Sequence, residues 1–375
     1  MPDLSAALQT GNGALEGFHR TVLTALDEVT LGALLSMIDA AWHASYRDVV
    51  RPHLNEHFLR KITACPGWFG VIVYDPSGLP AGFEIAFPRT LRACGRSFEV
   101  YYVTAFSVSA AHRRRGVGRW VLEGINHEAF ENRAADLLFS TFDRAQAGTL
   151  TVQSTFERSP YTVHRFHETP LFVRRFDSTY TTQPSHQPTL VAGAKVVNVV
   201  SMDGQTLAPR DATIEVGKLP TLAELDAGIS AAHEAAFALT PGFVSQYLNP
   251  EHAHQGESLW FAFDDGAWCW INYGVNSLAF NEHRIGQSGQ LQTLFARECS
   301  PEQIELCVRA LIERSRARGL RALVAFDHLA LPSELLTRLK FSASPNDRFN
   351  FCVRGPAQNI ELFRHLQAPY FLDFL

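Results

Sequence analysis

The chain has 375 residues, and at about 100–200 residues per domain that length points to two domains. Hydrophobic residues make up 46% and charged residues 19%, which supplies apolar surface for packed cores and excludes a disordered or low-complexity chain. The 33 Lys and Arg against 38 Asp and Glu leave a net charge of −5, without the basic footprint of a protein built around a nucleic acid.

No apolar run approaches the roughly 20 residues that cross a bilayer, so no membrane span is expected. The N-terminus lacks a basic region and carries Asp3, unlike a secretory signal. Cys65, Cys94, Cys269, Cys299, Cys307 and Cys352 are scattered, with no C-x-x-C pair and none beside a His at zinc spacing. That usage fits a reducing compartment, and a cytoplasmic protein with no metal site is expected.

In chain order, Leu31, Leu34, Leu35 and Ile38 recur at helical spacing, with Thr30 placed to cap the segment. A second helix is predicted over Glu56–Thr63, stopped by Pro66 and Gly67. The period then changes. Phe69–Tyr74 is apolar and β-branched, residues 75–78 (DPSG) form a turn, and Ala81–Pro88 reads as a strand. A turn at Gly95 leads into FEVYYVTAFSV, the third run of an antiparallel meander. The polar stretch Ala110–Gly118 precedes an amphipathic helix over Arg119–Asn132 and a strand over Ala135–Phe142. A meander, a crossover helix and a further strand make the mixed sheet of an α/β or α+β protein.

Residues 179–211 are rich in Thr, Ser, Gln, Pro and Gly and read as a connection around one apolar patch, Val196–Val200. The order then repeats: a helix over Leu222–Phe237, strands at Ser258–Phe263, Ala267–Val275 and Gln290–Phe295, a helix from Pro301 to Arg318, and a strand at Leu320–Phe326. Ser300 is placed to cap that last helix and Gly319 to close it. The expected domains are residues 1–185 and 212–375, joined by a linker over 186–211. They are two copies of one fold, each a mixed, mostly antiparallel sheet flanked by helices.

The strongest local signal is Arg113-Arg114-Arg115-Gly116-Val117-Gly118, between a predicted strand and a predicted helix. Glycines allow positive φ and close approach of a ligand, and successive N–H groups at a helix start hold an anion. The arginines add positive charge, so the segment is a candidate pyrophosphate cradle; the alternative is a solvated basic turn. It matches neither the phosphate loop ending in Gly-Lys-Ser/Thr nor the dinucleotide G-x-G-x-x-G pattern. At the same place the second half has ARECSPEQ, acidic and without a glycine pair, which predicts one phosphorylated co-substrate per chain.

R-x-x-G-x-G after a strand and opening a helix resembles the coenzyme A loop of the GCN5-related N-acetyltransferase (GNAT) superfamily. Two such folds in one chain, the second without the loop, resemble the N-myristoyltransferase family. Further similarity lies in the Pro66-Gly67-Trp68 step, in HRFHE at 164–168, in Thr240-Pro241 after Leu239, and in GLRALVAFDHLALPSELLTRLKF. It covers about residues 40–375, with gaps.

The resemblance implies a tandem GNAT N-acyltransferase that uses acyl-CoA as co-substrate and no prosthetic group. An acyl carrier protein is a possible alternative donor, because it presents the same phosphopantetheine. Val108 and Arg113, Arg114, Arg115, Gly116, Val117 and Gly118 would hold the CoA. The backbone N–H groups of Ala105 and Phe106 would form an oxyanion hole where the strand bulges. Thr141 would lie beside the acceptor amine, with Thr104 where the family has an asparagine.

His167 and Asp327 are the candidates for acceptor binding. The apolar ending PYFLDFL suggests a buried tail, and the resemblance makes the α-carboxylate of Leu375 the catalytic base; the alternative is a strand closing the core. The acyl group is expected to be a long fatty chain, and the acceptor an amine of a peptide, amino acid or small natural product. The rivals are a short-chain tandem GNAT acetyltransferase and a non-catalytic acyl-CoA or peptide-binding protein.

Overall fold

The computed structural model describes residues 15–45, 50–53, 56–143, 160–176, 194–203, 206–209, 219–232, 234–240, 256–280, 283–327, 331–364 and 366. The first half runs β1 (His19–Leu23), α1 (Glu28–Ser45), β2 (Val50–His53), α2 (Glu56–Thr63), β3 (Phe69–Tyr74), β4 (Pro80–Ala93), β5 (Arg96–Val108), α3 (Val117–Asn126), β6 (Leu137–Asp143) and β7 (Thr162–Arg175). A π-helical turn, His127–Asn132, extends α3. The second half runs β8 (Ala194–Asp203), β9 (Thr206–Pro209), α4 (Leu222–Ala232), β10 (Ala235–Phe237), β11 (Gly256–Phe263), β12 (Trp268–Phe280), β13 (His283–Arg297), α5 (Pro301–Ala317), β14 (Ala322–Ala325), α6 (Ser333–Arg338), β15 (Ser342–Gly355) and α7 (Ala357–Glu361).

The strands form one mixed, mostly antiparallel sheet in the order β1-β3-β4-β5-β6-β15-β7-β14-β13-β12-β11-β8-β9. Two pairs are parallel, β5 with β6 and β13 with β14, because α3 and α5 carry the chain across the sheet between them. The halves exchange strands in the middle. β15 from the second half pairs with both β6 and β7 of the first, and β7 pairs with β14.

Period-two alternation sorts the first half onto two faces. Ile72, Phe83, Ile85, Phe87, Tyr102 and Phe139 pack with Leu34, Ile38, Leu59 and Ile62 of α1 and α2. Val71, Val73, Ala86, Val103 and Leu138 pack with Val117, Val121 and Ile125 of α3. The helix lies close because glycine lets it. A Cβ on Gly82 would stand 2.6 Å from Val117, and one on Gly124 would stand 2.8 Å from Val71.

Some local expectations change. Asp27, not Thr30, caps α1: its Oδ1 accepts from the Thr30 N–H at 2.7 Å and its carbonyl from Leu31 at 2.9 Å. The stretch read as a linker, 186–211, carries β8 and β9. The helix expected over Leu222–Phe237 ends at Ala232, and Ala235–Phe237 pairs with the far end of β4 instead. Tertiary pairing overrides the helical pattern there, because β4 extends past Pro88 and leaves an edge to be covered. Ser300 caps α5 as its sequence implies, and Gly319 closes it with φ +75°.

Candidate active site

β5 and β6 run parallel and are paired only from Val100–Leu137 to Val103–Ser140. Beyond that point they part. β5 continues as the partner of β4 to Val108, while β6 continues as the partner of β15 to Asp143. Residues 104–108 and 141–143 therefore border an opening between adjacent strands. Strand edges turned toward each other but unpaired leave backbone donors and acceptors for an extended ligand.

At that opening β5 bulges. Phe83 pairs with Ser107 and Ile85 with Thr104, so Glu84 alone faces both Ala105 and Phe106. Ala105 takes φ +57°, a left-handed conformation uncommon for a residue with a Cβ. An extra residue in one strand loses its ladder partner and turns its N–H out of register. Strain of this kind costs about 1–3 kcal/mol and persists only where the surroundings impose it.

Thr104 and Thr141 follow the last paired positions on the α1–α2 face, in phase with Tyr102 and Phe139. The Tyr102 hydroxyl lies 3.3 Å from Thr141 Oγ1. Tyr102 is buried, and its ring stacks on Phe87 with centroids 5.1 Å apart. On the same strand, Trp42 Nε1–H of α1 donates to Ser107 Oγ at 3.0 Å, fixing the helix against the bulge.

The arginine–glycine loop follows β5 directly. Its three arginines have different partners. Arg113 ties the loop to α1, donating from Nη2 to the Ala41 carbonyl at 2.7 Å and to Ser45 Oγ at 3.0 Å; its Nε reaches the Val108 carbonyl at 3.5 Å. The Arg115 guanidinium lies 4.9 Å from the Phe18 ring centroid. Its Nη1 is 3.3 Å from His112 Nδ1, and His112 Nε2 in turn sits 3.2 Å from Asp75 Oδ2. Arg114 is exposed, with φ +63° and no side-chain partner among the described residues.

Gly116 takes φ +91° at the N-cap of α3. No side chain caps the helix, and its first internal bond runs from the Trp120 N–H to the Gly116 carbonyl at 3.0 Å. The N–H groups of Val117, Gly118 and Arg119 thus lie ahead of the intrahelical ladder. Donors left ahead of the ladder in this way suit an anion, which the helix dipole also favours.

The second half keeps the scaffold and closes this site. β13 and β14 pair only over Ser288–Ala322 to Gln290–Val324, and β13 bulges opposite the step from Asn272 to Tyr273. At α5, however, Ser300 Oγ accepts from the Gln303 N–H at 3.2 Å, and Gln303 Oε1 accepts from the Ser300 N–H at 2.7 Å. This capping box occupies donors that α3 leaves open. Glu298, two residues earlier, adds negative charge where the first half has arginine.

Asp327 follows β14 and is held locally. Its Oδ2 accepts from Ser333 Oγ at 2.6 Å, and its N–H donates to Thr169 Oγ1 at 3.4 Å. The backbone of His167 pairs with Phe351 in β15; its side chain lies outside the described structure. Leu375 also lies outside the described residues. Among those described, no three His, Cys, Asp or Glu residues gather as a metal site, and no helix is long and apolar enough to cross a membrane.

Two residues beside the opening escaped sequence reasoning. Tyr102 reads as one more apolar strand residue. Glu84 is 3% exposed, the acid of the otherwise apolar run AGFEIAFP, and its position in that run was the available signal. Burial pushes its carboxyl up to about 7, against the pull of Arg354 on β15. Burial likewise lowers Arg354 to about 10.

No protein-family model matches the sequence, and no curated protein sequence matches it either. Solved structures do match. The N-myristoyltransferase of Saccharomyces cerevisiae with bound myristoyl-CoA superposes with a TM-score of 0.62 at 12% identity, over 90% of this chain and 79% of that one. The same enzyme with myristoyl-CoA and inhibitors gives 0.63 at 13% identity, over 91% and 80%. A tandem GNAT protein from the clavulanic acid biosynthesis pathway gives 0.55 at 14% identity, over 90% and 98%. The chain therefore has the N-myristoyltransferase-like tandem GNAT fold.

Proposed function

We propose that the protein is an N-acyltransferase that moves an acyl group from acyl-CoA to an amine by direct attack. One observation carries the reading: a parted strand pair, a bulge and an uncapped helix start stand in succession along residues 103–119. Each suits one part of an acyl thioester. The diphosphate takes the N–H groups of Val117, Gly118 and Arg119, with Arg114 beside them. The pantetheine lies along residues 104–108 as an extra strand. The thioester oxygen meets the N–H groups of Ala105 and Phe106. The likeness to a fold that binds myristoyl-CoA in another protein supports the same reading.

In the chemical step the amine nitrogen bonds to the thioester carbon, and the carbonyl π pair moves onto oxygen. Collapse of that oxyanion breaks the C–S bond and releases CoA thiolate, which takes up the proton lost by the amine. A backbone donor aimed at the oxyanion is worth about 3–4 kcal/mol, because the charge exists only in the transition state. No covalent enzyme intermediate and no prosthetic group are needed. Thr104 and Thr141, on the α1–α2 face, orient the amine.

The base in this reading is the α-carboxylate of Leu375. A free α-carboxyl titrates near about 3.5, so its contribution is to hold the ammonium in place and draw off its proton as the bond forms. Residues 1–185 hold the thioester. Residues 212–375 offer the acceptor site, with His167 at the seam and Asp327 just after β14. The acceptor is an amine of a peptide, amino acid or small natural product, the acyl group is a long chain, and the enzyme is cytoplasmic.

Calorimetry with CoA and myristoyl-CoA tests the cradle. Wild-type protein binds both, and Gly116→Asp binds neither, because a side chain at φ +91° is strained and a carboxylate opposes the diphosphate. Retained affinity in Gly116→Asp would remove the cradle. Mass spectrometry with an acyl-CoA series and simple amines then reads the transfer. Acetylation alone, without turnover of longer chains, selects the short-chain rival; binding without any transfer selects a non-catalytic protein. One residue appended after Leu375 abolishes transfer if the terminal carboxylate takes part.

A further inference from the structure

The acyltransferase reading puts a diphosphate on the start of α3 and leaves open what keeps the loop before it in shape. That loop is not relaxed. Arg114 takes φ +63° and Gly116 φ +91°, and a left-handed residue with a Cβ persists only where its surroundings impose it. On one side of Arg114, Arg113 is tied to α1. On the other side the tie runs through Arg115.

Arg115 reaches the β3–β4 turn by way of His112. A guanidinium has donors and no acceptor, so Arg115 Nη1–H donates to His112 Nδ1 at 3.3 Å. The ring proton then sits on Nε2 and is donated to Asp75 Oδ2 at 3.2 Å. Phe18 meets the ring edge-on at 5.3 Å and carries the Arg115 guanidinium on its face. The His112 and Asp75 side chains are 15% and 13% exposed, so water does not readily replace either partner.

Asp75 is held as an acceptor. Its Oδ1 takes the Ser77 hydroxyl at 2.6 Å and the N–H groups of Ser77 and Leu79 at 2.9 and 3.0 Å. These bonds, the one from the Ser77 hydroxyl foremost, keep its carboxyl below the usual carboxylate range. Oδ2 is left for His112. A carboxylate on one ring nitrogen and a guanidinium on the other leave a single tautomer.

The second half puts the same brace to another use. In the β11–β12 turn, Asp265 Oδ2 accepts from Gln303 Nε2 at 2.9 Å, and Gln303 is the residue that completes the capping box of α5. In both halves a turn aspartate reaches the start of the crossover helix. In the second it steadies a cap; in the first it steadies an arginine beside an uncapped start.

We propose that Asp75 and His112 are positioning residues for co-substrate binding: through Arg115 they hold the loop before α3 in its phosphate-receiving shape before acyl-CoA arrives. The inference rests on the acyltransferase reading. Order set in advance is not lost on binding, so the effect falls on affinity.

The test is calorimetry of the full chain with CoA. In Asp75→Asn the amide oxygen must stay with the two turn N–H groups, so the NH2 group faces His112 Nε2. The ring proton then moves to Nδ1, and Arg115 loses its acceptor. CoA affinity falls about five- to tenfold, the worth of one lost hydrogen bond, and His112→Phe loses as much. His112→Asn, which places an amide oxygen where Nδ1 stands, returns affinity to within about twofold of wild type. In Arg115→Ala protein, itself weakened, adding Asp75→Asn costs nothing more, because both changes cut the same tie. Nitrogen NMR of the His112 ring finds the proton on Nε2 in wild-type protein and on Nδ1 in Asp75→Asn.

Full CoA affinity in Asp75→Asn, an undiminished loss from it in the Arg115→Ala background, or a wild-type proton on Nδ1 overturns the inference. If Asp75→Asn does not fold, equal affinity in His112→Phe and His112→Asn overturns it. If wild-type protein binds no CoA, the acyltransferase reading fails and the inference with it, an outcome distinct from CoA binding that Asp75→Asn leaves intact.

Discussion

The Tyr102 hydroxyl and Thr141 Oγ1, 3.3 Å apart, bridge β5 and β6 where the two strands begin to part. One partner precedes the last backbone pair and the other follows it, so the contact pins the apex of the opening on the face assigned to the amine. Tyr102→Phe is expected to lower kcat about 5- to 20-fold, the worth of one hydrogen bond near the reacting groups, with little change in CoA affinity. Thiol-release kinetics beside calorimetry check this. A change in CoA affinity of the same size would make Tyr102 a structural prop of the cradle instead.

The arginines of the loop divide by their partners. Arg113 is tied to α1 through Ala41 and Ser45, so Arg113→Ala lowers both thermal stability and CoA affinity. The exposed Arg114 has no such tie, and Arg114→Ala lowers CoA affinity alone. Its contribution shrinks at high salt, because an exposed charge is screened within about 10 Å at 0.1 M ionic strength. Melting curves and calorimetry at two salt concentrations separate the two behaviours.

Glu84 gives stability a pH dependence of definite sign. Its carboxyl holds a proton up to about 7 when folded, above the ordinary 4.5, so between those values the folded state binds more protons than the unfolded one. Stability from this group is full below about pH 4.5 and is lost as pH rises through 7, to a limit of about 3 kcal/mol. Glu84→Gln removes the titration. The difference in melting temperature between wild-type and Glu84→Gln protein should favour the variant increasingly from pH 5 to pH 8. A pH-independent difference would mean that Glu84 stays ionised throughout, held by Arg354.

The capping box of α5 supplies a control in the second half. Ser300→Ala removes the acceptor for the Gln303 N–H and should cost about 1 kcal/mol of stability. CoA affinity should not change, because the first-half cradle is built from other residues. Gain of a second CoA site in Ser300→Ala, read as binding stoichiometry, would show that the cap alone kept that helix start closed.

Much of this fold is legible along the chain because it is written in local periods. The β3–β4–β5 meander follows from alternation and from turn residues at 75–78 and 94–95, and both crossover helices follow from their apolar stripes. The glycine loop was equally plain, since positive φ at a helix start demands glycine at Gly116. Asp27 was missed as a cap because Thr30 is the residue adjacent to the apolar run. β8 was missed because its pairing partner, β11, lies more than 50 residues away in sequence, and β9 because it pairs with β8.

What the sequence determined by itself is the menu of elements and the glycine turn that opens α3, since both rest on backbone preferences and neighbours a few residues apart. What only tertiary structure decided is the meeting of Glu84 and Arg354 beside the strand opening. These residues come from β4 and β15, 270 positions apart. Strand register, not spacing along the chain, sets the face that each one occupies. Likewise, the strand exchange that seats β15 between β6 and β7 follows from closing one continuous sheet, a constraint that no local window contains.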